Sequence, residues 1–378
     1  MKHLGVNTLF LIPGEVGGSE TYLKETLAEL LPLLPCPCTL FTNRENDAAL
    51  RDFLAAVRAP YGVSFACLGF SARNRYARIV REQTQLALRV RQAGCDRLWS
   101  PGYTACLFPG CPQVVSVLDM QYRRFREDLS PLAWLATHTL VSLGVRRCRR
   151  VIAISEFSRR EVVELAGVPA GKTDVTPLGV KTDFAEVVPA RFDEPYLLSV
   201  AASYPHKNLP QLVRAFDLVA DKIPHRLKLA GGRGLGEGSL EAAIAGARFK
   251  ARIDRVPHLP MAELRSLYKG ADVFVLPSLY EGFGIPVVEA QRAQVPVVAT
   301  NCASLPEVGG DGVVVYDHVR DEFLAEAILR VVRLPKEERA ALVARGVANA
   351  ERFTWRECAR LTLDSLMRAG VVESGRRN

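Results

Sequence analysis

The sequence predicts an α/β protein of two doubly wound domains, each built on a parallel sheet. Two observations predict it. Short runs rich in Val, Ile and Leu alternate with longer amphipathic stretches along most of the 378 residues. These runs are continuous rather than alternating, which suits strands covered on both faces by helices. The strand–helix series also begins twice, near residue 6 and near residue 196, on either side of a Pro-containing segment at 177–195. At about 150 residues per domain the length allows two to three domains. The restart makes it two, 1–185 and 186–354, with a helix at 355–370 that returns to the first.

In the first half, residues 6–12 read as a strand ended by Pro13-Gly14. A helix follows with Leu23, Leu27, Leu30, Leu31 and Leu34 on one stripe. Residues 38–42, 63–68, 97–99, 114–118 and 151–154 read as strands, and 76–90 as one helix by the spacing of Tyr76, Ile79, Val80, Ala87 and Val90. In the second half, 196–200, 226–230, 253–256, 273–276, 295–299 and 313–315 read as strands. A helix between the first two carries Leu209, Leu212, Val213, Phe216 and Val219, and from Asp321 the chain is mostly helical. The polar tail 374–378 is expected to fray. Ligands in such sheets bind beyond the carboxyl ends of the strands, so a cleft between the two domains is the expected site.

Composition narrows the function classes. A charged fraction of 24% beside 48% hydrophobic residues excludes general disorder. No apolar run approaches the roughly 18 residues of a membrane span, and no secretory signal pattern opens the chain. The net charge of +8 is spread over both halves, which argues against a nucleic-acid binder with one basic domain. The nine cysteines are scattered and match no zinc spacing, as expected of thiols in a reducing cytoplasm.

Four loops are candidates for chemistry. Gly17-Gly18 separates the first strand from its helix, which Ser19 could cap. It reads either as an anion cradle or as a plain turn. The run from Gly231 to Gly238 fits no dinucleotide fingerprint and reads as a flexible surface loop, with Arg233 able to reach a phosphate. Lys207-Asn208 follows the first strand of the second domain. A lysine there neutralises a phosphate or is simply solvated. The strongest signal runs from Pro277 to Ala290. Glu281, the G-F-G-I-P interior and Glu289 lie between a buried strand and a helix opened by Pro286. Such a helix end offers N–H donors and positive dipole to a diphosphate. Glu289, one turn in, can point toward the ligand and accept from ribose hydroxyls.

This constellation resembles the E-x7-E motif of retaining GT-B glycosyltransferases of family four. Other segments agree in order: Gly17-Gly18, the V-A-I-S-E-F-S stretch from Val151, Pro177-Leu-Gly-Val180, Lys207-Asn208, and Ser304-Leu-Pro-Glu307-Val. The resemblance covers about residues 5–365 and is more specific in the second half. It implies a GT-B fold and a nucleotide-diphosphate sugar donor held by the C-terminal domain. It also implies a glycan or lipid-linked glycan acceptor held by the N-terminal domain, and no obligatory metal or cofactor. Lys207 and the backbone of Phe283, Gly284 and Ile285 would hold the diphosphate. Glu289 would take the ribose, and Glu281 the donor sugar. The wording of the Tyr280-Glu281-Gly-Phe-Gly-Ile-Pro stretch is similar to bacterial mannosyltransferases, which favours GDP-mannose.

The sequence departs from that pattern twice. Leu118 stands where relatives often have His before Asp119, leaving Asp119 as the acceptor-side candidate. No Arg precedes Lys207, so one phosphate ligand is missing unless His206 or Arg233 replaces it. An epimerase or hydrolase of nucleotide sugars, or a weakly catalytic binding protein, would share the fold. Arg73, Arg75, Arg78, Arg81, Arg89 and Arg91, with Glu82 the sole acid among them, and a second cluster from Arg146 to Arg150 read as solvated faces or as a peripheral contact with anionic membrane. That second reading places a cytoplasmic protein on the inner face of the cell membrane.

Overall fold

The computed structural model describes residues 1–126, 130–181, 184, 187–257 and 259–371. The chain forms two compact units. One is Met1–Gly179 together with the chain from Trp355 onward, the other Val180–Thr354. The division thus falls at Gly179–Val180, where the sequence reading put it after residue 185, among residues partly outside those described. The tail 374–378 also lies outside them.

The first unit runs β1 (Leu4–Asn7), α1 (Gly18–Leu30), β2 (Cys38–Thr42), α2 (Asp47–Leu54), β3 (Val63–Cys67), α3 (Arg75–Gln83), α4 (Gln85–Gln92), β4 (Arg97–Ser100), β5 (Gln113–Val117), α5 (Gln121–Arg124), α6 (Pro131–Arg147), β6 (Arg150–Ala153), α7 (Glu156–Ala166) and β7 (Thr173–Val175). Its strands form a parallel sheet in the order β3-β2-β1-β4-β5-β6-β7. The central strands β1, β2 and β5 are buried at every position, while edge strand β3 is not. That difference is the physical basis of the continuous apolar runs.

The second unit runs β8 (Tyr196–Val200), α8 (Leu209–Val219), β9 (Arg226–Ala230), α9 (Glu237–Gly246), β10 (Ile253–Val256), α10 (Met261–Gly270), β11 (Val273–Leu276), α11 (Ile285–Arg292), β12 (Val297–Thr300), α12 (Leu305–Gly309), β13 (Val313–Tyr316), α13 (Asp321–Val332) and α14 (Lys336–Ala350). Its parallel sheet is ordered β10-β9-β8-β11-β12-β13. Phe216, Leu227, Leu229, Val273, Val275 and Ile328 are central to the core on one face. In both sheets the strand order reverses beside the first strand of the unit. That reversal opens a crevice at the carboxyl end of the sheet.

The last helix, α15 (Trp355–Arg368), belongs to the first unit. Cys358 meets Thr26 of α1 at 3.6 Å, and Ser365 and Arg368 bond Asp174 at 2.7 and 2.8 Å.

Four local expectations need correction. The first strand stops at Asn7, because Thr8–Leu11 is loop backbone. Asn43 donates to the carbonyls of Leu9 and Leu11 at 3.1 and 3.0 Å, and Asn46 to that of Thr8 at 2.7 Å. The single helix expected at 76–90 is two, broken at Thr84, whose hydroxyl folds back on the Val80 carbonyl at 2.8 Å. Ser19 does not cap α1: the cap position is Gly17, at φ 53°. Pro286 is the second helical residue of α11, not the first.

Candidate functional site

The second unit builds its site at the β8/β11 reversal. The loop after β8 is fixed by Ser203. Its Oγ accepts Gly234 N–H at 2.8 Å, its N–H donates to Gly232 at 3.1 Å, and its carbonyl accepts Gly236 N–H at 2.7 Å. The glycines are what allow this closeness. A Cβ on Gly231 would lie 2.3 Å from the Ala201 oxygen, and one on Gly236 2.8 Å from that of Ser203. The glycine run expected to be a flexible surface loop is therefore stitched to the loop that carries Lys207. A short turn, Pro205–Lys207, then sets Lys207, and Asn208 enters α8 at φ 52°.

The loop after β11 carries Glu281. Ser304 Oγ donates to the carbonyls of Glu281 and Phe283 at 2.8 and 2.9 Å, and Thr300 Oγ1 to that of Ser278 at 2.6 Å. Leu279 N–H reaches the His206 carbonyl at 2.8 Å, joining the two loops. Gly284 turns into α11 at φ 96°, with Ile285 opening the helix and Phe283 buried edge-on against Phe353 at 5.3 Å. The result is one ion pair, Lys207 Nζ to Glu281 Oε1 at 2.7 Å, with both side chains mostly covered. An ammonium and a carboxylate held in contact beside a helix N-terminus can separate onto a phosphate and onto sugar hydroxyls.

Three residues behave otherwise than expected. Glu289 is half-buried on α11, and its Oε2 accepts the hydroxyl of fully buried Tyr268 at 2.9 Å. Burial raises its pKa, against the Tyr268 hydrogen bond and the charge of Arg265. His206 is buried and stacked on Tyr204. Burial, then the charge of Lys207, press its pKa down to about 4. It is neutral at pH 7 and does not replace the missing cation. Arg233 is 78% exposed and directed at Glu237 and Glu241, at 3.9 and 3.6 Å, so neither substitute is turned to this task.

The first unit carries a second concavity. Asp119 follows β5 and accepts Tyr103 Oη at 2.9 Å and Gln121 N–H at 3.0 Å. Leu118 is buried, and its carbonyl accepts Ser158 Oγ at 3.1 Å. A cavity of about 400 Å³ opens here, lined by Ser19, Arg75, Arg78, Tyr103, Thr104 and Asp119 among others. Gly17 and Gly18 start the helix on its wall, and Glu20 of that helix holds Gly14 N–H at 2.7 Å.

Sequence reasoning passed over Ser203, Tyr268 and Thr104, whose roles lie in what they touch across the fold. Ser304 sat inside a quoted motif and could have been found there. Among the described residues no helix is long and apolar enough to cross a membrane.

Comparison with known proteins accords with this geometry. Residues 16–184 match the model of Glycosyltransferase Family 4, and residues 180–347 that of Glycosyl transferases group 1. The chain is similar to the O-antigen chain mannosyltransferase B of Escherichia coli, 32% identical over 57% of this chain and 59% of that protein. It is similar to the O-antigen chain mannosyltransferase RfbU of Salmonella typhimurium, 28% identical over 52% of this chain and 54% of that one. The chain thus spans little more than half the length of these curated relatives. A solved Anabaena structure in complex with UDP and glucose has the same fold. It superposes with a TM-score of 0.72 over 97% of this chain and 99% of that one, at 18% identity. With two GT-B sheets and both halves matched, the chain belongs to the group 1, family 4 glycosyltransferases.

Proposed function

We propose that this chain moves a hexose, mannose favoured, from a nucleotide-diphosphate sugar to a glycan or lipid-linked glycan acceptor, with retention at the anomeric carbon. The observation that carries the reading is the Lys207–Glu281 pair at the β8/β11 reversal, beside the start of α11. In the donor complex Lys207 and the first-turn N–H groups of α11 take the charge growing on the departing diphosphate. Glu281 holds sugar hydroxyls and steadies positive charge at the anomeric carbon. These groups carry the leaving-group charge in a reaction that needs no metal. A carboxylate engaged with the hydroxyls of the donor sugar is poorly suited to attack its anomeric carbon. That supports same-face attack assisted by the leaving phosphate rather than a glycosyl-enzyme intermediate. Glu289 keeps one oxygen for the ribose while Tyr268 holds the other. Mannose is favoured by the names of the O-antigen relatives. The names do not choose the base, so GDP-, UDP- and dTDP-activated hexoses are compared as donors.

The acceptor belongs to the first unit, near Asp119. Contact with anionic membrane on the cytoplasmic face is supported by two helix faces. Tyr76, Val80, Thr84 and Leu88 are exposed at four-residue spacing along α3 and α4, and Leu135, Thr139, Leu143 and Arg147 along α6. Arg89, Arg91 and Arg146 flank them, and Phe108 lies under the Arg147 guanidinium at 4.6 Å. Apolar side chains framed by arginine suit an anionic lipid interface.

Transfer assays test the central claim. Glu281→Ala and Lys207→Ala are each expected to lower turnover by about two to three orders of magnitude, the usual loss when one charge-stabilising group is removed. Unchanged turnover in either variant would sink the proposal.

A further inference from the structure

The cavity of the first unit contains a cation that the transfer chemistry does not use. Arg78 lies on α3, lines the cavity, and is only partly exposed. Its Nε is buried with no hydrogen-bond partner. The nearest acid on the helix is Glu82, one turn on and buried. The Glu82 oxygens are taken by the Asn7 amide at 2.5 Å and by the Thr104 hydroxyl at 2.9 Å. Glu82 interacts electrostatically with Arg78 from one turn away without satisfying that N–H. Arg75 stands three residues earlier, on the same side of α3 and in the same cavity, tethered to Thr137 Oγ1 at 2.5 Å.

A buried guanidinium N–H without an acceptor is a costly feature in a folded chain. It becomes favourable when a ligand supplies the acceptor. A neutral hydroxyl would take the hydrogen bond but leave the two guanidinium charges crowded in a partly covered pocket. A planar carboxylate is matched by the fork of one arginine. A tetrahedral phosphoryl group presents three acceptor oxygens and a larger charge, so it can meet two guanidinium groups arriving from different directions. The rest of the lining fits the remainder of such a molecule. Asp119 and Tyr103 offer an acceptor and a hydroxyl at 2.9 Å from each other, and Phe10, Tyr122 and Phe125 offer apolar faces.

We propose that Arg78 and Arg75 form a subsite for the phosphoryl group of a phosphorylated sugar or polyol acceptor. This rests on the transferase reading and narrows its acceptor class.

The test is titration calorimetry on the full chain. Mannose 6-phosphate, glycerol 3-phosphate and inorganic phosphate are the anionic probes, mannose and glucuronate the controls, and GDP and UDP report on the donor site. Mannose 6-phosphate is expected to bind at least about tenfold more tightly than mannose. Arg78→Gln and Arg75→Gln should each remove most of that preference, and Arg78→Lys should restore part of it. Nucleotide affinity should be unchanged in all three. Should Arg78→Gln fail to fold, Arg78→Lys and Arg75→Gln decide the matter. Equal affinity for mannose and its phosphate overturns the subsite. So does a phosphate preference that survives in the Arg variants, and so does tighter binding of glucuronate. Nucleotide binding without phosphate preference leaves the transferase reading standing and removes the subsite. Phosphate preference at Arg78 without nucleotide binding or transfer does the reverse.

Discussion

Lys207 and His206 are adjacent in sequence and opposite in character. The lysine pairs with Glu281, while the histidine beside it is buried. The His206 pKa of about 4, against 6.5 in the open chain, makes stability depend on pH. Between those values the unfolded chain binds the proton and the folded one does not. The His206 contribution is therefore complete above 6.5 and lost as pH falls toward 4. The span corresponds to about 3 kcal/mol at most. His206→Gln is expected to flatten the fall in melting midpoint between pH 6.5 and pH 4. A variant with the same acid slope as the parent would show that the histidine is not held neutral. Glu289, read as a ribose ligand, also accepts a hydrogen bond from Tyr268 on one of its oxygens. Its hydrogen bond from Tyr268 was invisible because the partner lies 21 residues away on another helix.

Among the elements, α11 and its entry loop are the part most legible in the sequence. Strand, two glycines, proline and two glutamates define a turn that few other uses would require. What the sequence concealed is how the turn is held. Ser304 clasps two of its carbonyls, and Gly284 adopts φ 96° where a Cβ would come 2.6 Å from Leu305 Cδ2. Gly284→Ala forces a left-handed residue and a clash at the start of the helix. It is expected to cost about 1–3 kcal/mol in stability. Nucleoside diphosphate binding should weaken with it, as read by the thermal shift that GDP or UDP produces. An alanine variant with unaltered melting and nucleotide shift would mean the loop does not need this geometry. The glycine run after β9 shows the opposite limit. It looked like slack and proves to be a fitted contact, because close approach of two backbones leaves no side-chain pattern to read.

At the scale of the whole molecule, neighbouring structure is assembled from distant segments. α15 closes the first unit on α1 and Asp174, and the segment at 105–108 is held by Gln83 of α3 and by Arg147 of α6, whose guanidinium covers Phe108. Arg75 of α3 bonds Thr137 of α6 at 2.5 Å, which joins the two helices on their cavity side. In cosedimentation the protein is expected to bind vesicles containing phosphatidylglycerol in low salt and to release in high salt. Neutral phosphatidylcholine vesicles should not retain it. Val80→Asp with Leu88→Asp should abolish binding without lowering the melting midpoint, since both side chains are exposed. Equal recovery with neutral and anionic vesicles, or none with either, counts against the membrane contact.

The sequence by itself determined the class of fold, the two strand series and the place of the glycine-containing loop that opens α11. Buried parallel strands and helix starts are local requirements, written in neighbouring residues. The tertiary structure decided the rest: the ion pair of Lys207 with Glu281 across 74 positions, the neutrality of His206, the tether on Glu289 and the unsatisfied N–H of Arg78. Each of these depends on which groups are brought together and how much water is excluded from between them. Neither quantity is a property of residues taken in order along the chain.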